Sequence, residues 1–214
     1  MKVLILVLAL AVTLQCQIAA ATSLYVRSDS STTTWPCGTS IATACKSIAT
    51  AVNNAPSTTI IKVARGDYVE SFVIADSKQL AIEGGWNADF TIQSPDPSLT
   101  QVTPSGNNAI VSISLGAWEN VDLRLSALTF RGVTNLQRFG IQASGDNSII
   151  DLTVEHCRVE SFRGQGLSIY GDNISDINIS VTETIFQGNF QYPSNEPWPA
   201  LECLLLRGMV LQLT

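Results

Sequence analysis

The stretch VDLRLSALTF at residues 121–130 decides the fold, because two later stretches repeat it without a gap. These are IDLTVEHCRV at residues 150–159 and INISVTETIF at residues 177–186, so the three units start 29 and then 27 residues apart. Repetition at such a period is typical of stacked architectures, in which each unit buries its apolar face against its neighbours.

The pattern inside each unit predicts strands. Apolar side chains stand at positions 1, 3, 5, 8 and 10 of the ten in the first two units, and the third unit has Thr184 at position 8. The alternation over the first five positions indicates a β-strand. The break in the period after position 5 predicts a corner, followed by a second short strand. A third strand is predicted before each unit, at 110–114, 141–143 and 167–170.

Three strands per repeat predict a triangular coil, and such coils must stack to bury their inward faces. The predicted fold is therefore all-β: a right-handed parallel β-helix solenoid with an N-terminal capping α-helix. Each strand is expected to pair in parallel with its equivalent in the next coil, about 4.8 Å away.

The predicted organisation has four parts. Residues 1–21 are a signal peptide, residues 22–56 hold an N-terminal strand, a disulfide loop and the capping helix, and residues 57–190 form the coils. The helix is predicted over 43–55, with Ala44, Ile48, Ala51, Val52 and Ala55 on one face. Residues 191–214 are an irregular or aberrant tail, and we expect the chain to be truncated or frame-shifted near Glu196.

The N-terminal segment has the layout of an export signal, with Lys2, an apolar stretch at 3–14 and small residues at 19–21. The stretch is shorter than the roughly 20 residues of a membrane-spanning helix, so we expect no transmembrane segment in the mature chain. The predicted location is secreted, extracellular or at the cell surface.

Loss of Lys2 changes the formal net charge from -6 to -7. This acidity, with scattered basic residues, argues against nucleic acid as a partner.

Four cysteines remain in the mature chain. Cys37 and Cys45 lie close together in a Ser/Thr-rich segment and are the expected disulfide. Cys157 stands where an apolar core residue is expected, which predicts a buried thiol.

The segments 66–74 and 83–100, with KSIATAV at 46–52, resemble the N-terminal part of secreted bacterial right-handed β-helix proteins of the pectate-lyase-like superfamily. The resemblance covers about residues 23–189 and implies the fold. It implies little about function, since this superfamily holds lyases, hydrolases, adhesins and surface proteins. The His-Gly and Arg-x-Lys motifs of the related hydrolases are absent from the sequence, so no catalytic residue is carried over.

Candidate site residues come from aligning the repeats. Asp122, Asp151 and Asn178 occupy the same outward position in the three aligned units. The two neighbouring carboxylates, Asp122 and Asp151, make a candidate calcium site. The alternative is a solvated polar face screened by Arg124. Asn147 and Asn173 follow glycine turns and are expected to form a structural ladder of amides.

Four further residues are candidates for a catalytic or binding role. His156 stands at the predicted corner, where it could act as a general acid or base, but the sequence indicates no nucleophile to accompany it. Trp35, Trp86 and Trp118 could stack on sugar rings or could serve packing alone. No cofactor besides calcium is expected.

Two functions remain open. The first is a binding, adhesion or structural module directed at extracellular polysaccharide or a host or cell-surface ligand; FQGN at 186–189 supports it, since it resembles the FxxN element of bacterial polymorphic outer-membrane proteins. The alternative is a polysaccharide lyase whose catalytic coils lie outside this chain.

Overall fold

The computed structural model describes residues 21–133, 139–172, 176–189, 205–206 and 209–213. Within them the chain is mostly β-strand, with one α-helix, α1 (Ile48–Asn54), and two short 3-10 turns at Ile41–Thr43 and Pro97–Leu99. The predicted signal peptide, apart from its last residue, lies outside these residues. In the described parts of the chain, no helix is long and apolar enough to cross a membrane.

The strands are short and follow one another closely along the chain. In chain order they are β1 (Thr22–Val26), β2 (Thr59–Ala64), β3 (Gly66–Val69), β4 (Phe72–Ile74), β5 (Lys78–Trp86), β6 (Thr100–Thr103), β7 (Val111–Leu115), β8 (Asn120–Ser126), β9 (Thr129–Arg131), β10 (Phe139–Asp146), β11 (Ile149–Glu155), β12 (Arg158–Glu160), β13 (Gln165–Asp172), β14 (Asp176–Thr182), β15 (Thr184–Gln187), β16 (Leu205–Leu206) and β17 (Met209–Leu213).

These strands form three sheets that the chain visits in rotation. The first sheet has the order β1-β2-β5-β8-β11-β14-β17, the second β3-β6-β9-β12-β15-β16 and the third β4-β7-β10-β13. From β2 to β15 every neighbouring pair is parallel. The prediction of stacked parallel strands is confirmed, and the arrangement is compatible with a β-helix.

The aligned repeats lie directly over one another. Leu123 pairs in register with Leu152, and Leu152 with Ile179, so the three form one column. Leu80 of β5 extends this column below Leu123. All four side chains are buried, because the alternation of each strand turns them into the shared interior.

The corner between the first and second sheets has a special backbone. Ala127, His156 and Glu183 stand at equivalent places in three successive coils, and all have positive φ, at 53°, 48° and 47°. A left-handed residue lets the chain turn while the next side chain still points inward. This is why the apolar period breaks once in every unit.

Helix α1 covers the N-terminal end of the stack, where it packs against β1, β2 and β4. Ile48, Ala51 and Val52 face the core as predicted. The helix is shorter than the predicted 43–55, because Cys45 forms β-bridges with Val26 and Thr32 instead.

Two further contacts hold this end together. Cys37 and Cys45 form the predicted disulfide. The carboxylate of Glu70, between β3 and β4, accepts hydrogen bonds from the Ile48 and Ala49 backbone N–H groups, each at 2.9 Å, and from the Ser47 hydroxyl at 2.6 Å. Glu70 therefore satisfies the first amides of α1.

The other end departs from the parallel pattern. Strands β16 and β17 pair antiparallel with β15 and β14. Both lie in the segment predicted to be irregular, where strands without alternation are hard to foresee. The remaining residues of 190–214 lie outside the described part, and the hypothesis of a frame shift near Glu196 stays a prediction.

Candidate functional site

A column of polar side chains runs across the outward face of the first sheet. It consists of Gln79 on β5, Asp122 on β8, Asp151 on β11 and Asn178 on β14, and we call it the polar column. Each member pairs in register with the next, so the rungs follow the strand spacing of about 4.8 Å. Sequence alignment predicted the last three; Gln79 was missed.

Amide groups at the two ends of the polar column donate to the two carboxylates between them. Gln79 Nε2 lies 3.0 Å from Asp122 Oδ2, and Asn178 Nδ2 lies 2.8 Å from Asp151 Oδ1. Thr58 extends the chain of contacts, since its hydroxyl donates to Gln79 Oε1 at 3.3 Å. Each carboxylate therefore keeps one oxygen that receives no hydrogen bond from the described residues, so the middle of the column is rich in acceptors.

Gln79, Asp122 and Asp151 of the polar column line a shallow groove. Two adjoining depressions of about 240 Å³ each share Gln79 and Asp122. Hydroxyl and amide side chains contribute to their walls; these are Ser57, Thr58, Thr59, Ser77 and Asn120. A shallow, open surface that mixes polar and apolar groups suits an extended ligand better than a small enclosed one.

The basic residues beside the groove are already engaged. Arg124 lines the groove, yet its guanidinium binds Glu155 of the next coil, with Nε 2.9 Å from Oε1. Lys78 Nζ lies 3.2 Å from Asp76 and donates to the Val52 carbonyl. The expectation that Arg124 screens the aspartates is therefore not met by a direct contact.

Calcium fits this site only in part. Asp122 and Asp151 are neighbours as predicted, but each already accepts an amide hydrogen bond, and calcium takes about 6–8 oxygen ligands. Among the described residues there is no group of three or more His, Cys, Asp or Glu side chains that could hold a metal ion. Calcium at these two residues stays a prediction.

The corner leading into β8 presents an exposed aromatic ring two residues before Asn120, which lines the groove. Trp118 is 81% exposed and has a φ of 69°, which is rare for a bulky residue. The backbone N–H of Trp118 donates to the Asn147 carbonyl of the next coil at 3.0 Å. The turn is closed by Glu119, whose carboxylate accepts from the Gly116 N–H at 2.7 Å.

The other candidate residues lie elsewhere. Trp86 is half-buried with Lys62 Nζ 4.4 Å from its ring centroid, a cation-π contact. Trp35 lies two residues before the disulfide-bonded Cys37 and is 41% exposed. His156 Nδ1 lies 2.8 Å from Glu183 Oε2 in the next coil. Cys157 is buried, and burial raises the pKa of its thiol to about 12.

Of the two asparagines of the predicted amide ladder, Asn147 is among the described residues. Asn147 has a φ of 48°, as a turn residue commonly does, and its carbonyl accepts from Trp118. Asn173 lies outside the described residues, so the ladder stays a prediction.

The motif at 186–189 has a packing role in the described stack. Asn189 is buried; its Oδ1 accepts from the Phe162 N–H at 3.1 Å and its Nδ2 donates to the Val159 carbonyl at 3.0 Å. Gly166 lies so close that an added Cβ would be 2.8 Å from Asn189 Nδ2. The asparagine thus joins two coils at the corner after the second sheet.

Sequence reasoning also missed a charged cluster on the second sheet. Buried Glu160 accepts from Arg131 Nε and from Gln187 Nε2, each at 2.7 Å, and lies 3.7 Å from Arg158. Burial alone would raise the pKa of Glu160, but these hydrogen bonds hold it below its ordinary value of 4.5. The signal was present, because residues 131, 160 and 187 have the same spacings as the repeats.

Comparison with known proteins adds no relative. No protein-family model matches the chain, and neither does any curated protein or solved structure.

Proposed function

We propose that this protein is a secreted, right-handed parallel β-helix module that binds extracellular polysaccharide in the groove of its first sheet. The polar column is the observation that carries the proposal. Its four side chains lie on four successive coils and present hydrogen-bonding groups at a regular spacing.

The β-helix assignment is supported by the order in which the chain visits the sheets. Strands from β2 to β15 pass through the first, second and third sheets in unbroken rotation. A connection between parallel strands is right-handed in nearly all proteins, which supports the hand. The resemblance to the pectate-lyase-like superfamily agrees with this architecture.

Secretion is supported by two features of different kinds. The first residues have the layout of a removable export signal, and the disulfide between Cys37 and Cys45 is a bond that persists in oxidising compartments. Polysaccharides are abundant ligands in such compartments.

A linear polysaccharide matches the linear groove. Its sugar units repeat along one direction, as do the rungs of the polar column, and its hydroxyl groups can donate to carboxylate oxygens and exchange hydrogen bonds with amides. Binding is favoured over catalysis because the nearby cations Lys78 and Arg124 are held by Asp76 and Glu155. Neither is placed to take a proton from a ligand at Asp122.

The test is binding of the mature protein to a panel of soluble polysaccharides by affinity gel electrophoresis. We expect at least one polysaccharide to retard the protein. The double substitution Asp122→Ala with Asp151→Ala should reduce the affinity obtained from the retardation about tenfold or more. Asp67→Ala, an exposed aspartate on the second sheet, is the matched control and should bind normally.

Two results would contradict the proposal. One is the absence of retardation by any polysaccharide in the panel. The other is the release of unsaturated sugars from polygalacturonate in the presence of calcium, read by ultraviolet absorbance, which would favour the lyase instead.

A further inference from the structure

We propose that Trp118 is an aromatic platform for a sugar ring at the edge of the groove, and that the glycan bound there is uncharged. This rests on the proposed function and names both a specificity-determining residue and the class of ligand.

The backbone presents the indole to solvent. Trp118 is the most exposed of the large apolar side chains in the described chain, at 81%, and it holds a φ of 69°. A bulky residue holds such a conformation only where the surroundings enforce it. Asn147 has a φ of 48° at the equivalent turn, 29 residues further on, so this conformation belongs to the coil. The presence of an indole at so exposed a turn, where it gains no packing, points to a ligand.

The surrounding hydrogen bonds keep this turn in place. The backbone N–H of Trp118 donates to the Asn147 carbonyl, and the backbone N–H of Ile149 donates to the Glu119 carbonyl at 3.1 Å. Asn147 and Ile149 both belong to the next coil. On the other side, the Asn120 N–H donates to the Ser77 hydroxyl at 3.0 Å. The turn is thus tied to both neighbouring coils by contacts that leave the ring itself uncovered.

Trp118 is within reach of the groove. Asn120 lines the groove and is two residues further along the chain, which can span at most about 7 Å. Ile149 is the register partner of Asn120 and is 39% exposed. Trp118 and Ile149 therefore lie just before or at the start of the two strands that carry Asp122 and Asp151.

A pyranose ring has the matching chemistry. One face offers C–H groups that pack on an aromatic ring, while the edge carries hydroxyl groups that donate to oxygens such as those of Asp122 and Asp151. A uronate carries a carboxylate, which these aspartates would repel, and the cations Lys78 and Arg124 are already paired. The groove accordingly selects neutral sugars.

The experiment measures calorimetric binding of neutral and uronic hexasaccharides to the wild-type mature chain and its variants. We expect a neutral hexasaccharide to bind, hexagalacturonate to bind at least about tenfold more weakly, and Trp118→Ala to weaken neutral binding about tenfold or more. Trp118→Phe should keep most of the affinity. Trp35→Ala, which removes another exposed tryptophan, two residues before the disulfide-bonded Cys37, should change nothing.

A second readout separates stacking from folding. Ligand should shift the tryptophan emission of the wild type, and Trp118→Phe should abolish the shift while retaining the wild-type melting temperature. Neutral binding that survives Trp118→Ala, or an emission shift that survives Trp118→Phe, overturns the role of Trp118. Tighter binding of hexagalacturonate overturns the neutral class. If neither kind of hexasaccharide binds the wild type, the proposed function itself fails.

Discussion

Removal of the Glu70 carboxylate should loosen the cap on the first end of the stack. Glu70 belongs to the connection between β3 and β4, yet it holds the first turn of α1 through Ser47, Ile48 and Ala49. The substitution Glu70→Ala leaves two backbone N–H groups at the start of the helix without their acceptor. Since Ile48 is fully buried, water can replace the carboxylate only in part.

The magnitude follows from these bonds. A hydrogen bond to a charged group contributes about 1.5–3 kcal/mol, and a carboxylate at a helix N-terminus adds about 0.3–1 kcal/mol. Solvent near the half-buried Glu70 recovers part of the loss. We therefore expect the free energy of unfolding to fall by about 2–3 kcal/mol. Glu70→Gln keeps one acceptor oxygen and should cost about half as much.

The assay is urea unfolding followed by circular dichroism, with hydrogen exchange of the Ile48 and Ala49 amides. Glu83→Ala is the matched control, because Glu83 lies on the outward face of β5 and makes no hydrogen bond to the described residues. The reasoning is refuted if Glu70→Ala unfolds within about 0.5 kcal/mol of the control, a margin typical of surface substitutions. Unchanged exchange of both amides would refute it equally.

Three further predictions concern the core, the disulfide and acid stability. Leu152→Ala, in the middle of the buried column, should lower the free energy of unfolding by about 3–4 kcal/mol in urea titrations; a loss below about 1 kcal/mol would contradict the stacked core. Cys45→Ser opens a loop with a sequence separation of 8 and should cost about 2.5 kcal/mol by thermal unfolding, an effect that a reducing agent should reproduce in the wild type and not in the variant. Because the pKa of Glu160 is lower in the folded state, its contribution is complete above its ordinary value of 4.5 and is lost as pH falls through the folded pKa. Stability measured from pH 7 to pH 2 should therefore fall less steeply in Glu160→Gln, and equal slopes would rule out this contribution.

Much of the candidate site follows from the repeat. Asp122, Asp151 and Asn178 could be placed in one column because they occupy the same position in three aligned units. Gln79 was missed, since residues 87–99 lie outside the regular coil and separate its strand from β8 by more than one repeat period. Trp118 was foreseen only as one of several tryptophans, because exposure depends on what packs around a turn.

The sequence by itself determines the strands, their corners and the inward columns, because alternation and period are local properties that stacking then reuses in every coil. Only the tertiary structure decides which groups meet across coils. Glu70 caps a helix some 20 residues before it, Arg124 binds Glu155 rather than the aspartates, and β17 closes the first sheet in the antiparallel sense. These pairings depend on the position of each coil over its neighbour and on side-chain reach, which no repeat in the sequence records.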